Sequence, residues 1–249
     1  MVEAEITAAI LVIGDEILSG RTQDSNSNTI AKFLQPFGIA LKEIRVVGDE
    51  EPEIITSLNA LRTRYDYVFT TGGIGPTHDD ITADAIAKAF GVNIDIRDDA
   101  VEMMLNRYAR DELTEARLRM ARIPDGASLV KNPVSFAPGF QMENVFVMAG
   151  VPNIMRAMLD DIAPRLKTGK VIIAKTIKAD NLREGDIAKP LGEIAKKYPT
   201  LSFGSYPWFR GDGYGTQLVV RSNDEQLLES GIKEVLEMLK TLGLSPNIE

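Results

Sequence analysis

The sequence predicts an α/β protein: a doubly wound, mostly parallel sheet followed by a smaller α+β domain. Three observations carry this. Residues 8–14 and 145–149 are short, continuously apolar runs, as a strand requires when both faces of its sheet are covered. Segments with apolar residues at helical spacing alternate with such runs. Around residues 164–169 the composition turns to that of a linker, and a new strand, helix, strand, strand, helix order begins. The expected domains are therefore residues 1–168 and 169–249.

Each element has its own signal. The run 8–14 ends in glycine and leaves Asp15 and Glu16 at the carboxyl end of the first strand. From Asp24 onward Ile30, Phe33, Leu34 and Phe37 recur at helical spacing, with Asp24 or Ser25 placed as cap, Pro36 in the last turn and Gly38 as the stop. Residues 39–47 read as a second strand and 51–64 as a helix, with Pro52 in its first turn and Ile54, Ile55, Leu58 and Leu61 on one face. Residues 67–71 form the next strand. Beyond a glycine-rich loop, Thr82 is placed to cap a helix that stops near Gly91, and Ile81 and Ile86 form its hydrophobic staple. Residues 92–96 read as strand, 100–121 as one or two charged amphipathic helices, 145–149 as a buried strand and 153–161 as a helix. In the second domain, strand 171–176, a helix within 184–197, strands 201–206 and 216–221 and helix 224–242 make a βαββα unit.

The totals bound the chemistry. The 249 residues are 44% hydrophobic, enough for a packed core. With 36 acidic against 28 basic residues the formal charge is −8, which repels a polyphosphate backbone and offers no footprint for DNA or RNA. Small, metal-neutralised ligands remain compatible. The absence of cysteine rules out disulfides, thiolate metal sites and a cysteine nucleophile, and a single histidine rules out His-cluster metal sites. The acidic amino terminus lacks the basic segment of a secretory signal and no stretch is apolar enough to span a bilayer, so cytoplasmic residence without a membrane partner is expected.

The run Thr70-Thr71-Gly72-Gly73-Ile74-Gly75-Pro76-Thr77-His78-Asp79-Asp80-Ile81-Thr82 leaves a buried strand and enters a helix, where open α/β sheets bind ligands. Its glycines allow backbone N–H groups to approach an anion, and the next helix adds its positive end. Asp79 and Asp80 would repel a phosphate there unless a hard cation such as Mg²⁺ lay between, because carboxylate and phosphate oxygens share such ions. The loop is therefore read as holding a phosphate-bearing small molecule together with a divalent metal ion. It is not a Walker A loop, which needs Gly-Lys-Ser/Thr, nor a dinucleotide fingerprint, which needs glycine where His78 stands. The competing reading is structural: glycines that only turn the chain and acids that only cap a helix.

These residues resemble the molybdopterin-binding MogA/MoaB-type domain and, within it, the competence/damage-inducible CinA branch. The matching strings are Gly-Asp-Glu-Ile-Leu-Ser-Gly at 14–20, Asp24-Ser25-Asn26, the run from Thr71 to Thr82, Asn132-Pro133, Ala137-Pro138-Gly139-Phe140 and Gly150-Val151-Pro152. The tail, notably Gly204-Ser205-Tyr206-Pro207, is similar to the small KH-like module of that branch. No deamidase domain follows within the 249 residues, so a short form is expected; the layout also resembles the equivalent domain of eukaryotic FAD synthases. The resemblance implies one of two reactions: metal-dependent hydrolysis of a nucleotide pyrophosphate such as ADP-ribose or FAD, or adenylyl transfer to molybdopterin in molybdenum cofactor biosynthesis. A non-catalytic pterin- or nucleotide-binding module is the third reading. Carried over by position, Gly72, Gly73 and Gly75 would cradle phosphate, Thr77 and Thr82 would add hydroxyls, and Asp79 or Asp80 would act catalytically. Asp15, Asp79 and Asp80 would hold the metal, and Asp24 and Asn26 would make polar contacts to the ligand. A homo-oligomer is also implied.

Other features are open to a plainer account. His78 reads as an exposed loop side chain ahead of a general base, since carboxylates already supply acid–base capacity. Ser135-Phe136 replaces the small Gly-Thr pair often found before Ala-Pro-Gly in the family, which bears on the shape of the far pocket wall. The segment from Trp208 to Gly215 suits either stacking on a base or a glycine-rich hairpin turn. Residues 171–249 hold 10 Lys and Arg against 11 Asp and Glu, a net charge of −1, which disfavours a nucleic-acid role despite the KH-like tail. The pairs Asp98-Asp99 and Asp160-Asp161 are expected to stay solvated at helix edges.

Overall fold

The computed structural model describes residues 5–244 and 246–248, which divide into two compact units, Met1–Gly169 and Lys170–Glu249. The first unit opens with strand β1 (Ile6–Ile13), the short helix α1 (Asp15–Leu18), α2 (Asn26–Leu34), β2 (Ile39–Val47), α3 (Glu51–Arg62), β3 (Tyr67–Thr71) and α4 (Thr82–Phe90). It continues through β4 (Ile94–Ile96), α5 (Asp98–Met104), α6 (Glu115–Leu118), β5 (Arg122–Pro124), β6 (Ser128–Val130), β7 (Gly139–Met142), β8 (Val145–Met148) and α7 (Pro152–Ile162).

Its main sheet has the order β2-β1-β3-β8-β7-β6, in which β2, β1, β3 and β8 run parallel and β7 and β6 are added antiparallel at one edge. A separate antiparallel pair joins β4 to β5. Because side chains alternate along a strand, β1 feeds two cores. Ala9, Leu11 and Ile13 pack with Ile54, Leu58 and Leu61 of α3 and Ala85 and Ile86 of α4, while Ala8, Ile10 and Val12 pack on the other face with Ile30 and Leu34 of α2 and Met155, Met158 and Leu159 of α7. Burying both faces is why the run carries no polar residue. Ile10 and Leu11 are 0% exposed, each worth about 1.5–3 kcal/mol relative to an exposed side chain.

Differences from expectation have local causes. The region 100–121, read as one or two amphipathic helices, holds two short ones: α5 ends at Met104, and α6 and short 3₁₀ turns follow. Thr82 is the first residue of α4 rather than its cap; the capping position falls on Ile81, with no side-chain bond. Asp24 does support α2, its Oδ1 accepting from the Ser27 N–H at 3.1 Å. Asp99 and Asp161 are not simply solvated, since Arg97 and Arg165 pair with them.

The second unit contains β9 (Ile173–Asp180), α8 (Glu184–Lys197), β10 (Ser202–Arg210), β11 (Gly213–Ser222), α9 (Glu225–Thr241) and β12 (Asn247–Ile248). Its antiparallel sheet has the order β10-β11-β9-β12, with a core of Ile177, Leu218 and Val220 from the strands and Ile187, Leu228, Val235 and Leu239 from the helices. The segment from Trp208 to Gly215 is mostly strand, with the turn confined to Gly211 and Asp212. Gly215 lies against the Ala179 carbonyl oxygen and the Trp208 ring, where an added Cβ would stand 2.5 Å and 2.8 Å away, and the segment is a β-hairpin. Phe209 remains 80% exposed.

Candidate functional site

From β1 the chain passes through α2 to β2 on one side, and β3 lies on the other, so the strand order reverses between the carboxyl ends of β1 and β3. Loops diverge at such a point and leave a crevice. Here three strand-end loops meet. Gly72 takes φ +110, and an added Cβ would stand 2.0 Å from the Ile13 carbonyl oxygen, so only glycine lets the loop after β3 pass this close to β1. Gly150, after β8, lies so near that its own added Cβ would be 3.3 Å from the Gly72 Cα.

Asn26 locks the junction. Its Nδ2 donates to Thr71 Oγ1 at 2.8 Å and to the Gly150 carbonyl at 2.7 Å, and the Thr71 hydroxyl donates to the Ala149 carbonyl at 3.0 Å. One side chain at the start of α2 thus ties the ends of β3 and β8 together.

The glycine loop divides its tasks differently from the sequence reading. The Gly72 N–H donates to the Met148 carbonyl at 3.2 Å, which corrects its assignment as a phosphate donor. The N–H groups of Gly73, Ile74 and Gly75 find no acceptor among the described residues, and these are the amides left to face an anion. Thr82 is 0% exposed; its hydroxyl donates to the Gly72 carbonyl at 3.0 Å and its N–H to the Gly73 carbonyl at 2.9 Å. It clasps the loop from below, with its hydroxyl proton and its N–H both given to the loop's own carbonyls. Asp80 Oδ2 accepts from the Thr77 N–H at 2.8 Å and from the Thr77 hydroxyl, closing a turn that packs against Gly75. Thr77 and Asp80 are therefore the brace of the loop, which moves the catalytic and metal-binding expectation from Asp80 to its neighbour. Asp79 is exposed and receives no hydrogen bond from Thr77, whose hydroxyl and N–H both go to Asp80; His78 Nδ1 lies 3.9 Å from Asp79 Oδ1. His78 has a side chain 99% exposed, in keeping with the plainer reading of that residue.

A residue the sequence reading missed completes the acidic side. Asp49, after β2, accepts from the Asp15 N–H at 3.0 Å, while the Asp49 N–H donates to Asp15 Oδ1 at 3.3 Å. Its carboxyl is pushed above the ordinary value, first by burial and then by the negative charge of Asp15, Glu16 and Asp79, although the bond from the Asp15 amide opposes this. Four carboxylates from three loops thus share one field, in which the one basic neighbour among the ion pairs of the described residues is His78, its Nδ1 3.9 Å from Asp79 Oδ1. Nothing local marks Asp49 in the sequence; the only available signal was its place at the end of a parallel strand, where Asp15 had been noticed. Among the described residues no three acidic or histidine side chains converge tightly enough to make a preformed metal cage. The donor set, hard oxygens only, suits a cation whose remaining positions are filled by water and ligand oxygens, as for Mg²⁺.

Phe136 sits at φ +63, rare for a large side chain, in a loop fastened by Asn132, whose Oδ1 accepts from the Val134 and Ser135 amides. It lines a groove with residues of α5 and α7, apart from the glycine loop.

Residues 9–168 match the protein family described as "Probable molybdopterin binding domain", which is more than half of the chain. The chain belongs to this molybdopterin-binding domain family. Within it, the CinA protein of Thermoplasma acidophilum has a solved structure 34% identical in sequence, covering 65% of this chain and 99% of that one with a TM-score of 0.62. A protein of Pyrococcus abyssi is 34% identical over 96% of this chain and 97% of its own length. A "Probable FAD synthase" of Caenorhabditis elegans is 30% identical over 94% of this chain, which spans 50% of that protein. Residues 172–247 match the middle domain of FAD synthase. The molybdopterin-binding domain thus comprises the sheet, the glycine loop and the acidic side of the crevice, and no helix among the described residues is long and apolar enough to cross a membrane.

Proposed function

We propose that this chain hydrolyses a nucleotide pyrophosphate of the ADP-ribose or FAD type with the help of a divalent cation. The observation that carries the proposal is that one loop holds both the amides of Gly73, Ile74 and Gly75, which have no acceptor among the described residues, and Asp79, whose charge reaches Asp49 together with those of Asp15 and Glu16. Amides alone would serve any anion, and carboxylates alone would repel one. Together they suit an anion that arrives with a cation.

In this reading the amides receive the non-bridging oxygens of the attacked phosphate and stabilise the charge that develops there. A bound divalent cation would neutralise phosphate charge, and Asp15 and Asp79 are the residues that would hold it, with Glu16 beside them. Asp49, hydrogen-bonded to the Asp15 amide, orients a water molecule and takes its proton as the water oxygen bonds to phosphorus. The bond from that phosphorus to the bridging oxygen breaks, and the second phosphate leaves with the bridging oxygen. The support from relatives is the similarity to a protein named as an FAD synthase and the match of the second unit to that enzyme's middle domain.

Adenylyl transfer to molybdopterin uses the same parts with a different acceptor, and the family's description favours it as the second reading. The test is product identification after incubation with ADP-ribose, FAD, or ATP plus molybdopterin, each with and without Mg²⁺. AMP from ADP-ribose or FAD supports the hydrolase. Adenylylated pterin with pyrophosphate supports the transferase, and binding without turnover overturns both.

A further inference from the structure

The crevice has a second compartment, a cleft of about 60 Å³ lined by Val12 and Ile13 of β1, Glu16, Asp24 and Asn26, Thr71 and Gly72 of the glycine loop, and Gly150 and Pro152. Asn26 is 7% exposed and its Oδ1 is buried without a hydrogen-bond partner among the described residues. The network fixes the orientation of this amide. Gly150 offers only a carbonyl, and the proton of the Thr71 hydroxyl is already given to the Ala149 carbonyl, so both partners need a donor and Nδ2 must face them. A rotated amide would set oxygen against oxygen twice. Oδ1 is thus a buried acceptor held in place, and such a group is costly unless something donates to it.

The neighbours define the donor. The nine-residue helix α2 begins at this wall, but its Ser27 amide already bonds to Asp24, and the carboxylates of Asp24 and Glu16 line the same space. An anion is repelled, so the phosphate belongs to the adjoining amides and not to this cleft. What fits is a neutral group with hydroxyl donors. Gly72 borders both compartments, so that group must be joined closely to the phosphate. The cleft has room for only about four to six water molecules, which admits the edge of one furanose ring and not a fused pair of rings. We infer that the cleft is the ribose subsite, in which Asn26 Oδ1 accepts from one hydroxyl of the nucleotide's cis-diol and the Asp24 carboxylate from the other. This rests on reading the neighbouring amides as a nucleotide phosphate site.

The test is calorimetric binding of AMP, 2′,3′-dideoxy-AMP and inorganic pyrophosphate to the whole chain in Mg²⁺. Loss of the diol should weaken binding about tenfold or more, since the buried Asn26 Oδ1 loses its donor and the half-buried Asp24 carboxylate loses another, and the Asn26→Ala variant should narrow the gap between the two nucleotides. Because Asn26 also ties two loops together, the comparison of ligands on the unaltered protein is decisive. AMP and its dideoxy analogue binding equally well would overturn the ribose subsite while leaving the phosphate site standing. Failure of all three to bind would remove the phosphate site and the inference with it.

Discussion

Replacing Gly72 by alanine tests whether close approach of two strand ends builds the site. The added Cβ would fall 2.0 Å from the Ile13 carbonyl oxygen, and the neighbouring atom is backbone of a fully packed strand rather than the end of a flexible side chain. The φ of +110 adds strain that an L side chain resists. Left-handed strain of roughly 1–2 kcal/mol and overpacking of roughly 1–3 kcal/mol together amount to about 2–5 kcal/mol, a large part of the ~5–15 kcal/mol that holds a domain folded. Gly91 supplies the control. It has φ +68 with open space around it, so Gly91→Ala meets the strain without the collision and should cost only about 1–2 kcal/mol. Urea unfolding followed by far-ultraviolet circular dichroism measures both as a shift in midpoint. Equal shifts for the two variants would refute the packing argument.

Three other variants separate the roles of the acids. For Asp49 the native pKa lies above the ordinary 3.8, so the benefit of its protonated form is complete below that value and is lost as pH rises through the raised one. Asp49→Asn should therefore raise stability near neutral pH in metal-free thermal melts while lowering turnover about 10²–10⁴-fold; reduced stability at pH 7 would contradict the burial and charge assigned to it. Asp79→Asn, an exposed change, should leave the melting temperature within about 1 °C, as surface substitutions do, and abolish the Mg²⁺ dependence of activity. Asp80→Asn should instead loosen the turn it forms with Thr77, costing about 1–2 kcal/mol for a weakened charge-assisted hydrogen bond; chemical exchange broadening of the amide signals from residues 75–80 would show it, and unchanged amide signals would speak against the brace.

The sheet was legible because its strands are unambiguous: a run such as residues 8–13 cannot lie on a surface, and β2 and β3 are bounded by glycine, proline and aspartate that admit few other turns. Strands β5, β6 and β7, of three or four residues each, carry too few positions for any period to emerge and are held by pairing with distant segments. The stretch from Trp208 to Gly215 was open to two readings in the sequence, and its backbone is a hairpin. Its glycines look like loop punctuation, but Gly215 sits in a strand where the Ala179 carbonyl oxygen and the Trp208 ring leave no room for a side chain. At the site, the glycine loop announced itself as a contiguous string. Its internal division did not, because adjacent acids such as Asp79 and Asp80 are alike in sequence and differ only in which one Thr77 turns inward. Asp49 lies on another loop altogether and becomes part of the site only when parallel strands bring their ends side by side.

The central claim is that the amides of the glycine loop and the surrounding carboxylates receive a nucleotide phosphate only together with a cation. Titrating ADP-ribose into the protein in a calorimeter, first with Mg²⁺ and then with EDTA, measures this directly. The account predicts binding in Mg²⁺ that weakens at least about tenfold on chelation and a comparable loss in Asp79→Asn. Equal affinity with and without the cation would contradict it.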